Sequence, residues 1–309
     1  MKIWRIIFIA LGILIELMSL GLLIYLIMIV PKIDPVAVLF FCVPFITFAE
    51  GTFVIYFSKH VLKPKEIEMD TLAQKQYQAA IFDMDGTILD TLEDLKDALN
   101  YSLAEFGYHA DFTSQETRMF FGSGARAAVA RALAACSGAP AELIGSIGTK
   151  NEPAFGIPEE TISDVLAFYK PWYAEHCDIK TCPYPGIIDL VKSLSAAGIK
   201  TAVVSNKPNP AVQALCRDYF LDLFNYAAGE TDGVHRKPAP DMVLNAIEAM
   251  GVSSDNAIYI GDSEVDIQTA ANAGLDCICV DWGFRTRDQL AHAGAKMIVS
   301  SCEEIRALF

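Results

Sequence analysis

The chain has no Cys-x-x-Cys pair and no histidine at zinc-ligand spacing. Its eight cysteines (Cys42, Cys136, Cys177, Cys182, Cys216, Cys277, Cys279 and Cys302) are scattered, which argues against a structural zinc site or a disulfide framework as the organising principle. They read instead as small buried hydrophobes in a reducing compartment. His109, His176, His235 and His292 likewise lack a metal-spaced partner. There is no internal repeat and no low-complexity tract. A basic stripe is missing too: 24 Lys/Arg stand against 38 Asp/Glu, for a net charge of −14 over 309 residues. The first 65 residues carry six Lys/Arg and three acids, or +3, which leaves −17 on residues 66–309. Such an acidic body offers no electrostatic footprint for nucleic acid.

Apolar residues, in contrast, are abundant at 53%, and the excess is concentrated in the first sixty positions. Ile6 to Val30 is interrupted by one acid, Glu16. A helix of that length rises roughly 37 Å, enough to cross a hydrocarbon core with tilt. The short apolar region and small-residue cleavage site of a signal peptide are absent. Pro31-Lys32-Ile33-Asp34-Pro35 breaks this helix, and Val36 to Phe57 forms a second apolar stretch that contains Pro44 and Glu50. The expected unit is a membrane hairpin over 1–62, with helices at about 6–30 and 36–57. An interfacial or re-entrant second segment is the alternative. Lys2, Arg5, Lys59, Lys63 and Lys65 flank the outer ends, which predicts a multi-pass protein with both termini and the acidic body in the cytoplasm. Glu16 and Glu50 fall at comparable depth. They are read either as an assembly contact, which would make the hairpin a homo-oligomer interface, or as two tolerated neutral acids.

A polar linker, 63–78, precedes a change of pattern. Short apolar strands, Ala79 to Phe82, Thr201 to Val204, Ala257 to Ile260 and Asp276 to Val280, alternate with helical segments. This predicts an α/β fold with a Rossmann-like parallel sheet. Residues 92–182 show helical periodicity and no convincing strand, so they are read as a helical cap inserted into a core made of 79–91 and 183–309.

The chemistry-bearing residues fall at the predicted strand ends, where ligands bind in open α/β sheets. The first strand runs into Asp83-Met84-Asp85-Gly86-Thr87. Carboxylates two apart on an extended segment point to one side. One can attack phosphorus in line while the other hands a proton to the departing oxygen. Gly86 allows a sharp turn, and Thr87 adds a hydroxyl for phosphoryl oxygens. Ser205-Asn206 after the second strand offers a further hydroxyl, or is simply a turn. Lys237 supplies a point charge, or is a solvated surface lysine. Gly261-Asp262-Ser263-Glu264-Val265-Asp266 clusters three acids. Hard oxygen ligands of this kind suit Mg²⁺, although any one of them could cap the helix expected near Val265.

Together with Pro183-Tyr184-Pro185-Gly186, Ser205-Asn206-Lys207-Pro208 and Arg236-Lys237-Pro238-Ala239-Pro240-Asp241, these segments resemble the haloacid dehalogenase superfamily, and within it the phosphoglycolate-phosphatase type, over roughly residues 78–309. The resemblance implies Asp83 as nucleophile and Asp85 as general acid and base. It implies Lys237 as charge stabiliser and Thr87, Ser205 and Asn206 as phosphate-binding residues. Mg²⁺ would be held by Asp83, the backbone carbonyl of Asp85, and Asp262, with Asp266 steadying the metal site from behind. An Asp at position 85 argues for phosphate hydrolysis and against the dehalogenase branch. The hairpin departs from the family pattern.

The expected substrate is a small phosphorylated metabolite. Pyrophosphatase, nucleotidase or sugar phosphomutase activity on the same core stays open, as does a catalytically silent membrane-anchored binding module. In the insert, Phe121-Gly122-Ser123-Gly124-Ala125-Arg126 is read either as a substrate contact through Arg126 or as a plain loop before a helix at Ala125 to Ala135. Phe168, Tyr169, Trp172 and Tyr173 lie at helical spacing and read as core.

Overall fold

The structure, a computed structural model, describes residues 75–309 apart from 150, 151, 153 and 222. The segments 6–30 and 36–57, with Glu16, Glu50 and the expected hairpin, lie outside the described residues. Among the described residues, no helix is long and apolar enough to cross a membrane.

Strand β1 (Ala79–Phe82) is followed by a two-residue strand β2 (Leu89–Asp90) and five helices: α1 (Leu92–Glu105), α2 (Ser114–Phe120), α3 (Ala125–Cys136), α4 (Ala141–Ser146) and α5 (Glu159–His176). Strand β3 (Cys182–Pro183) then pairs antiparallel with β2. The chain continues through α6 (Ile187–Ala196), β4 (Lys200–Pro208), α7 (Asn209–Phe220), β5 (Tyr226–Glu230), α8 (Asp241–Met250) and β6 (Ala257–Gly261). It ends with α9 (Glu264–Ala273), β7 (Asp276–Val280), α10 (Arg287–His292), β8 (Met297–Val299) and α11 (Cys302–Arg306).

Six strands form one parallel sheet in the order β5-β4-β1-β6-β7-β8. Its side chains alternate between two apolar layers. Ala80, Phe82, Val203, Ile258 and Ile260 pack with α6, α7 and α11 on one face, whereas Ala79, Ile81, Ala202, Val204, Ala257 and Tyr259 pack with α8 and α9 on the other. This is the period-2 geometry of a strand buried on both sides, and it explains why β1 reads Ala-Ala-Ile-Phe with no polar residue. All carboxyl ends therefore emerge on one edge of the sheet.

Besides the two-residue strands β2 and β3, two strands of the main sheet went unrecognised in the sequence. β5, Tyr-Ala-Ala-Gly-Glu, is a half-buried edge strand of poor strand formers, and β8 is only three residues long at the other edge. β4 is longer than expected. It pairs through to Pro208, opposite Glu230, after an irregularity between Val204 and Pro208. Ser205, Asn206 and Lys207 thus lie within an irregular strand end, and the free-turn reading of Ser205-Asn206 is set aside.

The segment from α1 to α5 has its own apolar core, built from Leu95, Leu99, Leu133, Val165 and Tyr169 among others, and Phe284 from the loop after β7 joins it. Its entry and exit are tied by buried Asp94 in α1, which accepts the backbone N–H groups of Lys180 at 3.0 Å and Thr181 at 2.8 Å, and the Thr181 hydroxyl at 2.8 Å. One carboxylate thereby satisfies the backbone beside the β2–β3 ribbon. Helix α3 begins after Gly124, whose φ of 86° few other residues tolerate.

Candidate active site

Asp83 follows β1, the strand third from one edge of the sheet, and its backbone N–H continues the ladder to Ile260 at 2.8 Å. Its carboxylate is nearly buried and lies 2.7 Å from Lys237 Nζ. Lys237 arrives from the segment after β5 and is held by two further groups, Asp266 Oδ1 at 2.9 Å and Tyr259 Oη at 3.0 Å. Asn206 clamps the same residue from β4: its Nδ2 donates to Lys237 O at 3.0 Å and its Oδ1 accepts Lys237 N–H at 2.8 Å. The lysine is thus fixed at both ends, by a strand side chain at the backbone and by carboxylates at the ammonium. Burial alone would push its ammonium down, but the charges of Asp266 and Asp83 outweigh this and hold it well above the ordinary lysine value.

Asp262 follows β6 and faces Asp83 across the gap between β1 and β6. It accepts Phe284 N–H at 2.6 Å and the Thr87 hydroxyl at 3.4 Å. Gly86 and Gly283 allow it to sit so close: a Cβ on either would fall 2.3 Å and 2.4 Å from Asp262 Oδ2, and Gly86 also has φ of 83°. Asp266, at the first turn of α9, accepts the N–H of Asp262 at 3.2 Å, and the N–H and hydroxyl of Ser263 at 3.1 and 2.6 Å. Its other oxygen takes Lys237 and Tyr259. Asp266 therefore caps the helix and orients the site at once, while Glu264 turns to Arg285 at 2.8 Å.

Burial pushes the Asp83 carboxyl up to about 7, with Lys237 opposing and Asp266 and Asp85 adding. Asp262 is raised well above the carboxylate range for the same first reason, with Asp266 and Asp83 adding. Oxygens of Asp83, Asp262 and Asp266 all lie within 4.8 Å of one another. Two buried carboxylates held together against their own repulsion fit a hard divalent cation such as Mg²⁺, which takes few carboxylates and keeps further positions for water or substrate oxygens.

Asp83, Asp85, Ser205, Lys207, Lys237 and Asp262 line one cavity of about 100 Å³, closed on the far side by Phe121, Tyr169, Tyr173 and Phe284. A family profile described as haloacid dehalogenase-like hydrolase matches residues 80–280. The chain belongs to this family. Phosphoglycolate phosphatase 1 of Pseudomonas aeruginosa is 30% identical over 226 residues, 73% of this chain and 77% of that protein. The phosphoglycolate phosphatase of Rhodospirillum rubrum is 31% identical over 220 residues, 71% and 85% of the two chains. The crystal structure of a candidate phosphoglycolate phosphatase from Lactobacillus delbrueckii subsp. bulgaricus superposes with a TM-score of 0.73 at 50% identity, and covers 75% of this chain and 97% of that one. The protein is a hydrolase of the haloacid dehalogenase phosphatase type.

In this haloacid dehalogenase-like hydrolase three residues named from sequence have partners within the protein. Arg126, read either as a substrate contact or as part of a plain loop before a helix, does not line the cavity. Its guanidinium is bound by Glu159, with Nε at 3.0 Å, and by Glu152 at 3.3 Å, because two acids of the insert lie nearer than the sheet edge. Thr87, expected at the phosphate, is fully buried and directs its hydroxyl to Asp262. Asn206 spends its amide on the Lys237 backbone. Both Asn206 and Ser205 line the cavity, and Ser205 Oγ accepts Lys207 N–H at 3.2 Å.

Other site residues had been passed over. Lys207 is 2% exposed at its side chain, donates to Tyr173 Oη and lies 3.1 Å from Asp85 Oδ1. Tyr169 and Tyr173, stacked at 5.5 Å, are both core and cavity wall, whereas Phe168 and Trp172 turn outward to Tyr101. Arg285 joins Glu264 to the carbonyls of Arg118 at 3.1 Å and Phe121 at 2.9 Å. For Lys207 the available signal was its place inside the Ser205–Pro208 motif. Nothing in the sequence marked Phe284 or Arg285.

Proposed function

We propose that the protein is a Mg²⁺-dependent phosphomonoester hydrolase of the phosphoglycolate-phosphatase kind, working through an aspartyl-phosphate on Asp83. The observation that carries this reading is the meeting of Asp83, Asp85, Lys237 and Asp262 on one small cavity at the carboxyl edge of the sheet. Asp83 attacks phosphorus in line, the bond to the leaving oxygen breaks, and Asp85 gives that oxygen its proton. A water molecule then gives its proton to Asp85 as it displaces phosphate from Asp83, and the cycle closes. Lys237, already against the nucleophile, offsets the negative charge of the incoming phosphoryl group. Ser205 is the wall hydroxyl best placed to orient that group. Asp83, Asp262 and the Asp85 carbonyl would hold Mg²⁺, which when bound supplies positive charge that keeps both acids ionised and offsets the phosphoryl oxygens.

The helical insert, with its aromatic wall of Phe121, Tyr169 and Tyr173, would limit bulk water at the site. The apolar segments 6–30 and 36–57 and their flanking lysines support a further part of the proposal: a membrane hairpin that tethers the enzyme on the cytoplasmic side and offers a surface for self-association. The test is phosphate release by the full-length chain from 2-phosphoglycolate, pyrophosphate, sugar phosphates and nucleotides, with Mg²⁺ or with chelator, and with Asp83→Asn alongside. Metal-dependent release that vanishes in the variant is expected. Turnover that survives Asp83→Asn would remove the covalent mechanism.

A further inference from the structure

Three lysines line the cavity: Lys170 is exposed on α5, and the two buried ones, Lys237 and Lys207, differ in how fully they are engaged. Lys237 is saturated, its three donors facing Asp83, Asp266 and Tyr259. Lys207 is as deeply buried but among the described residues its ammonium donates one hydrogen bond, to Tyr173 Oη, and also sits 4.4 Å from the centre of that ring. Asp85 Oδ1 is 3.1 Å away, yet this oxygen has no hydrogen-bond partner among the described residues, so the pair is in ionic contact without being bonded. A buried ammonium with unused donors is costly unless a partner arrives. With Arg126 turned to its own glutamates, no arginine lines the cavity among the described residues, and the remaining lysine, Lys170, is exposed on α5, whereas Lys207 lies against Asp85.

We infer that Lys207, oriented by Tyr173, is the specificity residue that binds a carboxylate on the leaving group, which makes the preferred substrates small phosphorylated hydroxy acids. The inference rests on the phosphatase reading above and deepens it. Asp85 is the group that protonates the leaving oxygen, so whatever lies against the Asp85 carboxylate lies on the leaving-group side and away from the phosphoryl oxygens. A carboxylate one carbon removed from the ester oxygen falls within reach of that ammonium. A neutral alcohol offers it no charge. The stacked Tyr169 and Tyr173 rings give this part of the cavity an apolar wall.

The test compares 2-phosphoglycolate with 2-hydroxyethyl phosphate, an ester of similar size that lacks the carboxylate, on the full-length chain with Mg²⁺. The wild type is expected to favour 2-phosphoglycolate at least tenfold in kcat/KM. Lys207→Met is expected to lower kcat/KM for 2-phosphoglycolate by about 10- to 100-fold, chiefly through KM, as the loss of a charge-assisted hydrogen bond implies. The loss on the neutral ester should be at least tenfold smaller, and Lys207→Arg should recover part of the preference. Should Lys207→Met fail to fold, Tyr173→Phe is the second probe: losing the hydroxyl that steadies the ammonium should reduce turnover of 2-phosphoglycolate several-fold more than that of the neutral ester. Equal losses on both esters would overturn the inference, because a residue that merely supports Asp85 or the fold affects both. So would a wild type that turns over both esters without preference, an outcome that leaves the phosphatase reading intact. If no phosphoester at all is hydrolysed in an Asp83-dependent way, the phosphatase reading falls and this inference with it.

Discussion

The carboxyl edge of the sheet and the helical segment from α1 to α5 treat charge in opposite ways. At the sheet edge, Asp83, Lys237, Asp262 and Asp266 are driven together in near-complete burial, and each is fixed by a backbone group or another charge. In the helical segment the ionic groups turn to one another or to carbonyls, as Arg126 does with Glu152 and Glu159. The surface given to the cavity there is mainly aromatic and small, with Lys170 as its one charged residue among the described residues. Strand ends hold a side chain to within the precision of a hydrogen-bonded ladder, so reacting groups sit there. A helix face presents a broad patch whose shape can change without disturbing the ladder, so selection of the substrate falls to it.

Substitutions at the two regions should separate this contrast. The largest effect is expected at the sheet edge. Asp83→Asn, nearly isosteric, should lower kcat on the order of 10⁴-fold or more while the thermal midpoint in chelator stays equal to or above that of the wild type. A residual rate near wild type would end the comparison. Lys237→Met should cost roughly 10²- to 10³-fold in kcat, and because it also strips a partner from buried Asp266 it should lower stability as well.

In the helical segment the same kind of deletion should be felt in stability alone. Arg131 of α3 is 2% exposed and donates to Ile147 O at 2.8 Å, Phe120 O at 2.8 Å and Ser123 Oγ at 3.0 Å. Burial pushes its guanidinium down to about 10, with Arg285 adding. Arg131→Met leaves those carbonyls without donors and should destabilise the fold by about 3 kcal/mol in denaturant titration, with kcat at low temperature within a few-fold of wild type.

The metal site sharpens the contrast through pH. Asp83 is raised to about 7 in the folded protein, so between the ordinary carboxylate value of 3.8 and 7 the folded state holds a proton that the unfolded state has released. Stability in chelator should therefore fall as pH rises through that window and level off above it. The gain in thermal midpoint on adding Mg²⁺ should grow over the same window, since the cation needs the ionised acids. A midpoint that rises with pH in chelator would contradict this. The smallest effect belongs to Arg126→Ala: its partly exposed ion pairs should contribute under about 1 kcal/mol, and kcat/KM for 2-phosphoglycolate should stay within threefold.

Legibility in the sequence followed the same division. β1, β6 and β7 were readable because their runs are apolar on both faces and end at Asp83, Asp262 and Val280, and the helix α3 was readable from its periodicity. β5 and β8 were not: an Ala-Gly edge strand and a three-residue strand carry too little pattern to register. Asp266 was legible as one of three clustered acids, but its simultaneous capping of α9 and pairing with Lys237 depends on where β5 and β6 sit relative to each other.

Residue order along the chain, with the two-residue period of strands, determined the parallel sheet and which acids stand at its carboxyl edge, because the backbone alone places Asp83 and Asp85 just beyond β1. What the tertiary structure decided is which charges remain available. Arg126 was withdrawn by Glu152 and Glu159, Asn206 was committed to the Lys237 backbone, and Lys207 was left beside Asp85 with Tyr173. These outcomes turn on distances between segments some thirty or more residues apart or on competition among near-equal partners, and neither is written in local periodicity.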